Sequence, residues 1–521
     1  MGRKKEIQYY NDRYRGTLSD EECHILDTIY SVDVVPDLRN CIYELPQESI
    51  DKIIRYVETN LGYPINVEKP LGTLSDMQTV GVAYMYWAGS CILGDSVGLG
   101  KTVQVAGLIN LLKTEYRKAG KDFNVLFLTE KVLIDETRTS LIKFTSDYWY
   151  KLRGDKDANL RWKKDHPDGI DSHVIAPHSL IKQAVFLSWL EECETFPFQM
   201  LVVDESSVLG NSTSEISQTS KLLMPKFERK IFLNATPFET KLDVFYNQLD
   251  LIDPTLLPTK QNFTKEYVVM DYTGMFPRPS GKYKNAEKFK QLVGYRYFAR
   301  TRKEEGAVMK DCEAKIILSS LNAKQNELLG KTHLNQMVYD YPTYFDAEFE
   351  FTEENVPKLK DLNSLLMNEC KDSDSIIVFT LYKEYQEALV EWFKSKGYSC
   401  RKMNGDTNEE DRAEIIKGFK EKDFHVLVTN VQKGLNFGSC DYCIFYSFNP
   451  NPSKMIQMEG RITRSFDVIG KHVYLLCSRG KEYSVLNNRI RNRAKASADF
   501  ATVDVSCIMS LLLGDENVMQ N

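Results

Sequence analysis

From residue 70 onward, short apolar runs recur along the chain, each closing on polar residues, with stretches of helical spacing between them. The first set is Cys91-Ile92-Leu93, Val125 to Thr129, His173 to Ile175, Met200 to Asp204 and Lys230 to Asn234. Runs that are apolar at successive positions, alternating with helices, predict strands of a parallel sheet covered on both faces. The pattern fades between 247 and 365, where aromatic and charged residues are denser and a Pro- and Gly-containing stretch spans Gly274 to Gly281. It resumes with Ser375 to Thr380, His425 to Thr429, Tyr442 to Tyr446 and His472 to Leu476. The expectation is an α/β chain with two parallel-sheet lobes, 69–246 and 366–482, and a mainly helical insertion at 247–365. An N-terminal accessory region (1–68) carries one amphipathic helix, Ser49 to Leu61, and a helical tail follows from 483 to 521. Ligands of such sheets bind at the carboxyl ends of the strands, so the polar residues closing each run should converge.

Composition changes this picture little. A length of 521 residues suits about three domains. A formal net charge of −6 advertises no global basic field, which argues against a histone-like binder but not against a motor with a local basic groove. No apolar run approaches the ~20 residues that span a bilayer, so no membrane partner is expected. The start Met-Gly-Arg-Lys-Lys has no apolar core after it, unlike a secretory signal. The 11 cysteines are scattered, and the lone pair Cys440/Cys443 lacks the second pair or nearby His that a zinc site needs.

The chemistry-bearing string is Asp95-Ser96-Val97-Gly98-Leu99-Gly100-Lys101-Thr102, between the run at 91–93 and a helical pattern from Val103 to Leu112. A Gly-rich turn between strand and helix gathers backbone N–H groups, and the helix N-terminus adds partial positive charge. Lys101 suits the β- and γ-phosphates and the Thr102 hydroxyl suits Mg²⁺. Asp95 stands where a P-loop usually begins with Gly. The run from Met200 ends in Asp204 and Glu205, of which the first suits Mg²⁺ and the second suits the attacking water. Asn234-Ala235-Thr236-Pro237 closes the next run with a small hydroxyl residue. Twenty-odd residues before the P-loop, Gln78 has an amide able to donate to and accept from an adenine edge. Farther on, Gln457-Met-Glu-Gly-Arg461-Ile-Thr-Arg464 sets two arginines on one helix face, whose planar forks suit phosphate oxygens.

Together these strings resemble helicase superfamily two, and within it the Swi/Snf-type DNA translocases, over most of the chain. The P-loop form Asp-x-x-Gly-Leu-Gly-Lys-Thr carries the resemblance, as does the helix-like string after Pro237 (Phe-Glu-Thr-Lys-Leu-Asp-Val-Phe-Tyr-Asn-Gln-Leu). Tyr297 to Lys303, Lys324-Gln325, Gly405 to Thr407 with Arg412 and Phe419, Lys433 to Asn436 and Phe448 to Pro450 add to it. Two departures stand out: Asp-Glu-Ser-Ser where His is common at the fourth position, and Gly-Arg-x-x-Arg without a Gly-Gln ending. With no histone-reading module evident, they point away from chromatin remodelling and towards a compact bacterial or phage-type member, in a bacterial or phage-infected cytoplasm.

The resemblance implies two RecA-like lobes, with ATP and Mg²⁺ as cofactors. Gln78 would read adenine; Gly98, Gly100, Lys101 and Thr102 would cradle phosphate; Asp204 and Glu205 would serve metal and water. Gln457, Arg461 and Arg464 would complete the site from the second lobe. Thr129, Lys131, Thr380, Thr429 and Lys433 are the implied nucleic-acid contacts, mainly to the phosphate backbone of double-stranded or forked DNA. The expected activity is ATP-driven translocation on duplex DNA. A strand-separating or branch-migrating helicase and a nucleotide-gated binding module with little turnover are the alternatives.

Overall fold

The computed structural model describes residues 74–514, apart from 146, 153–171, 239–240, 274–275, 303–305, 307–308, 311–312, 330, 333–334, 372, 432–436, 439, 461, 463–467 and 502–506. The N-terminal accessory region, with its helix over Ser49 to Leu61, therefore lies outside the described residues, as do Lys433, Arg461 and Arg464. The chain divides into two compact units, one running to Arg300 and taking in Asp499–Val503, the other starting at Thr301. No described helix is long and apolar enough to cross a membrane.

In the first unit the apolar runs become β1 (Cys91–Leu93), β2 (Val125–Thr129), β4 (His173–Pro177), β5 (Met200–Asp204) and β6 (Arg229–Leu233), with the short β3 (Trp149–Lys151) between β2 and β4 in the chain. Further on come a hairpin, β7 (Val268–Asp271) and β8 (Arg278–Tyr283), and the two-residue β9 (Tyr297–Phe298). The sheet order is β3-β4-β2-β5-β6-β1-β9, with every pair parallel. Its strands are buried because helices cover them. Val105 and Ile109 of the helix Lys101–Lys118 share a core with Leu93, Val125, Val202 and Ile231, all fully buried. Each such side chain contributes about 1.5–3 kcal/mol by leaving water.

The hairpin is anchored at its root. Tyr267 is buried, Tyr283 packs edge-on to Phe238, and Asn285 Nδ2 donates to Glu266 O at 2.8 Å. Residues 278–282 of β8 are all exposed, and near the tip Tyr272 and Phe276 are 73% and 76% exposed. Asp271 stiffens the turn by accepting from Thr273 N (2.9 Å) and Arg278 Nε (3.2 Å).

The second unit holds β10 (Met309–Lys310), β11 (Glu313–Ser319), β12 (Ile376–Phe379), β13 (Cys400–Met403), β14 (Val426–Thr429), β15 (Tyr442–Phe445), β16 (Val468–Ile469) and β17 (His472–Ser478). Its main sheet, again parallel throughout, runs β11-β17-β15-β12-β14-β13, while β10 pairs with β16 apart from it. The segment 247–365 holds helices but also the hairpin, β9, β10 and β11, of which β9 joins one sheet and β11 the other. A buried charge cluster ties distant segments of this unit together. Lys358 Nζ donates to Asp340 Oδ1 (2.7 Å), Glu482 Oε1 (2.9 Å) and Tyr446 O (3.2 Å), all three charged side chains being fully buried.

Candidate active site

The P-loop begins where β1 ends. Gly98 (φ 93°) and Gly100 (φ 74°) take left-handed conformations that a side chain resists, and so wind the loop tightly into the helix that starts at Lys101. The loop thus brings the first turn of that helix, with its partial positive charge, to the carboxyl end of β1. Lys101 Nζ donates back to Asp95 O (2.6 Å) and Ser96 O (3.4 Å), and Thr102 follows it in the first turn. Gln78 lies beside the loop, for a Cβ on Gly100 would stand 2.6 Å from its Nε2. Gln78 Oε1 meanwhile accepts from Ser75 N (3.1 Å) in a capping box at the start of the helix Asp76–Ala88. Sequence reasoning gave this amide to adenine; here its oxygen caps a helix.

Asp204 closes β5, separated from β1 by β6 alone. Its carboxylate accepts from Thr129 Oγ1 (3.3 Å) and Glu205 N (3.1 Å), and His178 Nε2–H donates to its carbonyl at 2.6 Å. Burial and the neighbouring Glu205 push the Asp204 carboxyl up to about 6, against the pull of Lys101. Glu205 is held at φ 49°, ψ 51°, a left-handed backbone that costs a non-glycine residue about 1–3 kcal/mol and often marks a functional turn. The crowded acid pair, with the Thr129 hydroxyl beside Asp204, is an oxygen-rich group of the kind a hard divalent cation takes.

The acid cluster is wired to the Asn234-to-Pro237 string through Gln248, fully buried on the helix Leu242–Ile252. Gln248 Oε1 accepts from Ser206 Oγ (2.7 Å) and Asn234 Nδ2 (3.0 Å), while its Nε2 donates to Val244 O (3.0 Å) and Pro237 O (3.2 Å). The Thr236 hydroxyl, also buried, has no hydrogen-bond partner among the described residues. Sequence reasoning missed Gln248 as a hub, although it lies inside the string that follows Pro237.

Asp95, the residue that departs from the usual P-loop, is also fully buried. Its carboxylate accepts from Arg300 N and Nε (3.0 Å each) and Nη2 (2.5 Å), and from Gln104 Nε2 (2.9 Å). Neither Arg300 nor Gln104 was singled out for a role, and the one signal was the unusual Asp itself.

Three of the five expected nucleic-acid contacts are buried. Thr129 and Thr429 are 0% exposed and Thr380 1%, so their hydroxyls face no solvent groove. Thr129 serves Asp204, Thr380 Oγ1 accepts from Gln386 Nε2 (2.9 Å), and Thr429 Oγ1 accepts from Val431 N (3.0 Å). A hydroxyl at a buried strand end closes local hydrogen bonds before it can reach a partner. Lys131 is exposed, in the 3-10 turn Lys131–Leu133. In the second unit Gln457 is buried on the helix Pro452–Glu459.

A P-loop running into a helix, an acid pair one strand away and a second parallel-sheet unit define the helicase-like class of P-loop ATPases. The chain belongs to the SNF2-related family: the SNF2-related domain matches residues 77–372, and the helicase conserved C-terminal domain matches 357–466. It is 24% identical to the mouse DNA repair and recombination protein RAD54B, over 75% of this chain and 51% of that protein. It is also 24% identical to the mouse chromodomain-helicase-DNA-binding protein 1-like, over 72% of this chain and 43% of that one. The chain thus spans about half the length of the curated relatives it matches. Among solved structures, the Sulfolobus solfataricus SWI2/SNF2 ATPase core in complex with dsDNA aligns with 81% of this chain and 91% of its own, at 18% identity and a TM-score of 0.39.

Proposed function

We propose that this chain is a DNA-stimulated ATPase that translocates on double-stranded DNA. The observation that carries the ATPase part is that the P-loop leaves β1 and the acid pair closes β5, two strands of one parallel sheet with β6 alone between them. Lys101 would exchange the carbonyls of Asp95 and Ser96 for phosphate oxygens, and Glu205 would orient and deprotonate the attacking water. Mg²⁺ bound by Thr102 and Asp204 would offset phosphate charge. Gln457, Arg461 and Arg464 are the residues of the second unit proposed to bind phosphate. The DNA part rests on family membership and on relatives whose names join DNA repair, DNA binding and helicase activity.

The test is steady-state ATPase activity alone and with duplex, single-stranded and forked DNA or RNA, with Lys101→Ala as control. Strong stimulation by plain duplex, lost in the control, is the expected result. Absence of stimulation by any nucleic acid would sink the DNA reading.

One observation favours strand separation as a second reading. The exposed Tyr272 and Phe276 flank the turn of the β7–β8 hairpin, with the exposed Arg278, Lys282 and Lys284 on the same hairpin. Such aromatics can stack on or wedge between bases, with cations on the backbone. On this reading a forked duplex is unwound by the protein, and Tyr272→Ala with Phe276→Ala lowers the strands displaced per ATP hydrolysed. Equal yields from the variant and the parent would remove it.

A further inference from the structure

We propose that Arg300 is a positioning residue tying the phosphate loop to the chain that leaves the first unit, so that the state of Lys101 and the course of that chain act on each other. The inference rests on the ATPase reading and concerns how its site is held.

The tie starts in the backbone. β9 lies parallel to β1, and its ladder continues past the strand into the loop: Ile92 N donates to Arg296 O (2.7 Å), Gly94 N to Phe298 O (2.6 Å) and Ser96 N to Arg300 O (2.9 Å). The segment 296–300 is thereby zipped to β1 and to the entry of the P-loop at Ser96.

The side chain then locks this register. The Arg300 guanidinium forks onto both carboxylate oxygens of Asp95, reaches Gln104 Oε1 at 2.9 Å and donates to Met77 O. It also lies over the Phe298 ring, 4.8 Å from the centroid. Gly81 leaves the space for this network: a Cβ there would stand 1.8 Å from Gln104 Oε1 and 2.8 Å from Arg300 Nη2. The pair is dry, with Arg300 1% and Asp95 0% exposed, so its geometry is stiff. Through Met77 the guanidinium also holds the residue before Gln78, and through Gln104 the helix that carries Lys101.

Asp95 and Ser96 are thus held from two sides. Their carbonyls accept from Lys101, while the Asp95 carboxylate and the Ser96 amide bond to Arg300. Lys101 must leave those carbonyls to reach a phosphate, which removes its share of the restraint on these residues and leaves that of Arg300 and Gln104. Arg300 is also the last residue of the first unit before Thr301 opens the second. A pull on the chain beyond 300 therefore reaches the carbonyls that hold Lys101, and by linkage Lys101's choice of partner reaches that chain.

The experiment uses the full chain with Asp95→Asn, Arg300→Lys and Arg300→Ala. It reads KM for ATP, the ratio of duplex-stimulated to basal rate, and Tm. Arg300→Lys keeps the charge but not the fork, so it separates folding from positioning. The expected result is a KM raised about tenfold and a stimulation ratio falling towards one in Asp95→Asn and Arg300→Lys, with Tm lowered least in Arg300→Lys. Basal and stimulated rates that fall by one common factor, at unchanged KM, would show a merely structural pair and overturn the proposal. If the parent chain shows no DNA stimulation, the DNA reading fails separately. KM then decides alone, since a raised KM keeps the tie and an unchanged one removes it. Should Arg300→Ala not fold, the other two variants carry the test.

Discussion

Glu205 holds the least comfortable backbone of the site, a left-handed turn at the end of β5. Glu205→Gly should relieve it, raising stability by about 1 kcal/mol in thermal melts while abolishing hydrolysis, a trade between stability and activity. Glu205→Gln keeps the strain and the shape. It should leave ATP binding near the parent value and slow turnover by about 10²–10⁴-fold, the usual worth of a general base. A second residue reports on pH. His173 is buried, and its Nδ1 accepts from Val125 N at 3.2 Å, which places the proton on Nε2. Asp147, 3.4 Å from Nε2, is already paired with Lys113, and burial pushes the imidazole down to about 3. The unfolded chain, with His near 6.5, then binds the extra proton first. Stability from this group is full above pH 6.5 and falls as pH drops towards 3, by up to about 1.4 kcal/mol per unit. His173→Gln should flatten that slope in urea titrations at several pH values; an unchanged slope would assign the acid sensitivity elsewhere.

At the scale of elements, the strands the sequence made legible are the central ones. β2, β12, β14 and β15 are buried along their lengths, as is β5 up to its closing Asp204, and they read as nearly continuous apolar runs. The edge strands gave no such signal. β13 is Cys-Arg-Lys-Met with its two middle residues exposed, and β9 has only two residues. An edge strand needs one neighbour and little apolar surface, so periodicity cannot mark it. Motifs that bind phosphate or acids were legible because their chemistry fixes residue type. The partners that hold them, Arg300 and Gln248, come from distant positions and follow from the tertiary fold alone. Gln248→Leu tests one such element contact. It leaves Ser206 Oγ and Asn234 Nδ2 buried without their shared acceptor, at about 1–3 kcal/mol each. The expected result is a midpoint shift of that order in denaturant, together with a lower ATPase rate. A midpoint within error of the parent would mean the two groups find other partners.

For the whole molecule, a formal charge of −6 makes any duplex contact a local affair of basic side chains against a repulsive background. Stimulation by DNA should therefore weaken steeply between about 50 and 200 mM salt, while the basal rate moves little. A salt-independent stimulation would argue for recognition other than through phosphates. The second unit's strand order bears on a different question, where this protein can be cut. The helicase C-terminal match covers 357–466, yet β17 and Glu482 follow it, and β11 and Asp340 precede it. β17 is an interior strand, between β11 and β15, and Lys358 needs carboxylates from both sides of the match. A fragment trimmed to the sequence match would expose one flank of β15 as a raw edge and strand an ammonium in the core. The unit of homology is thus shorter than the unit of folding, and an expression boundary drawn from the first would yield an aggregating product.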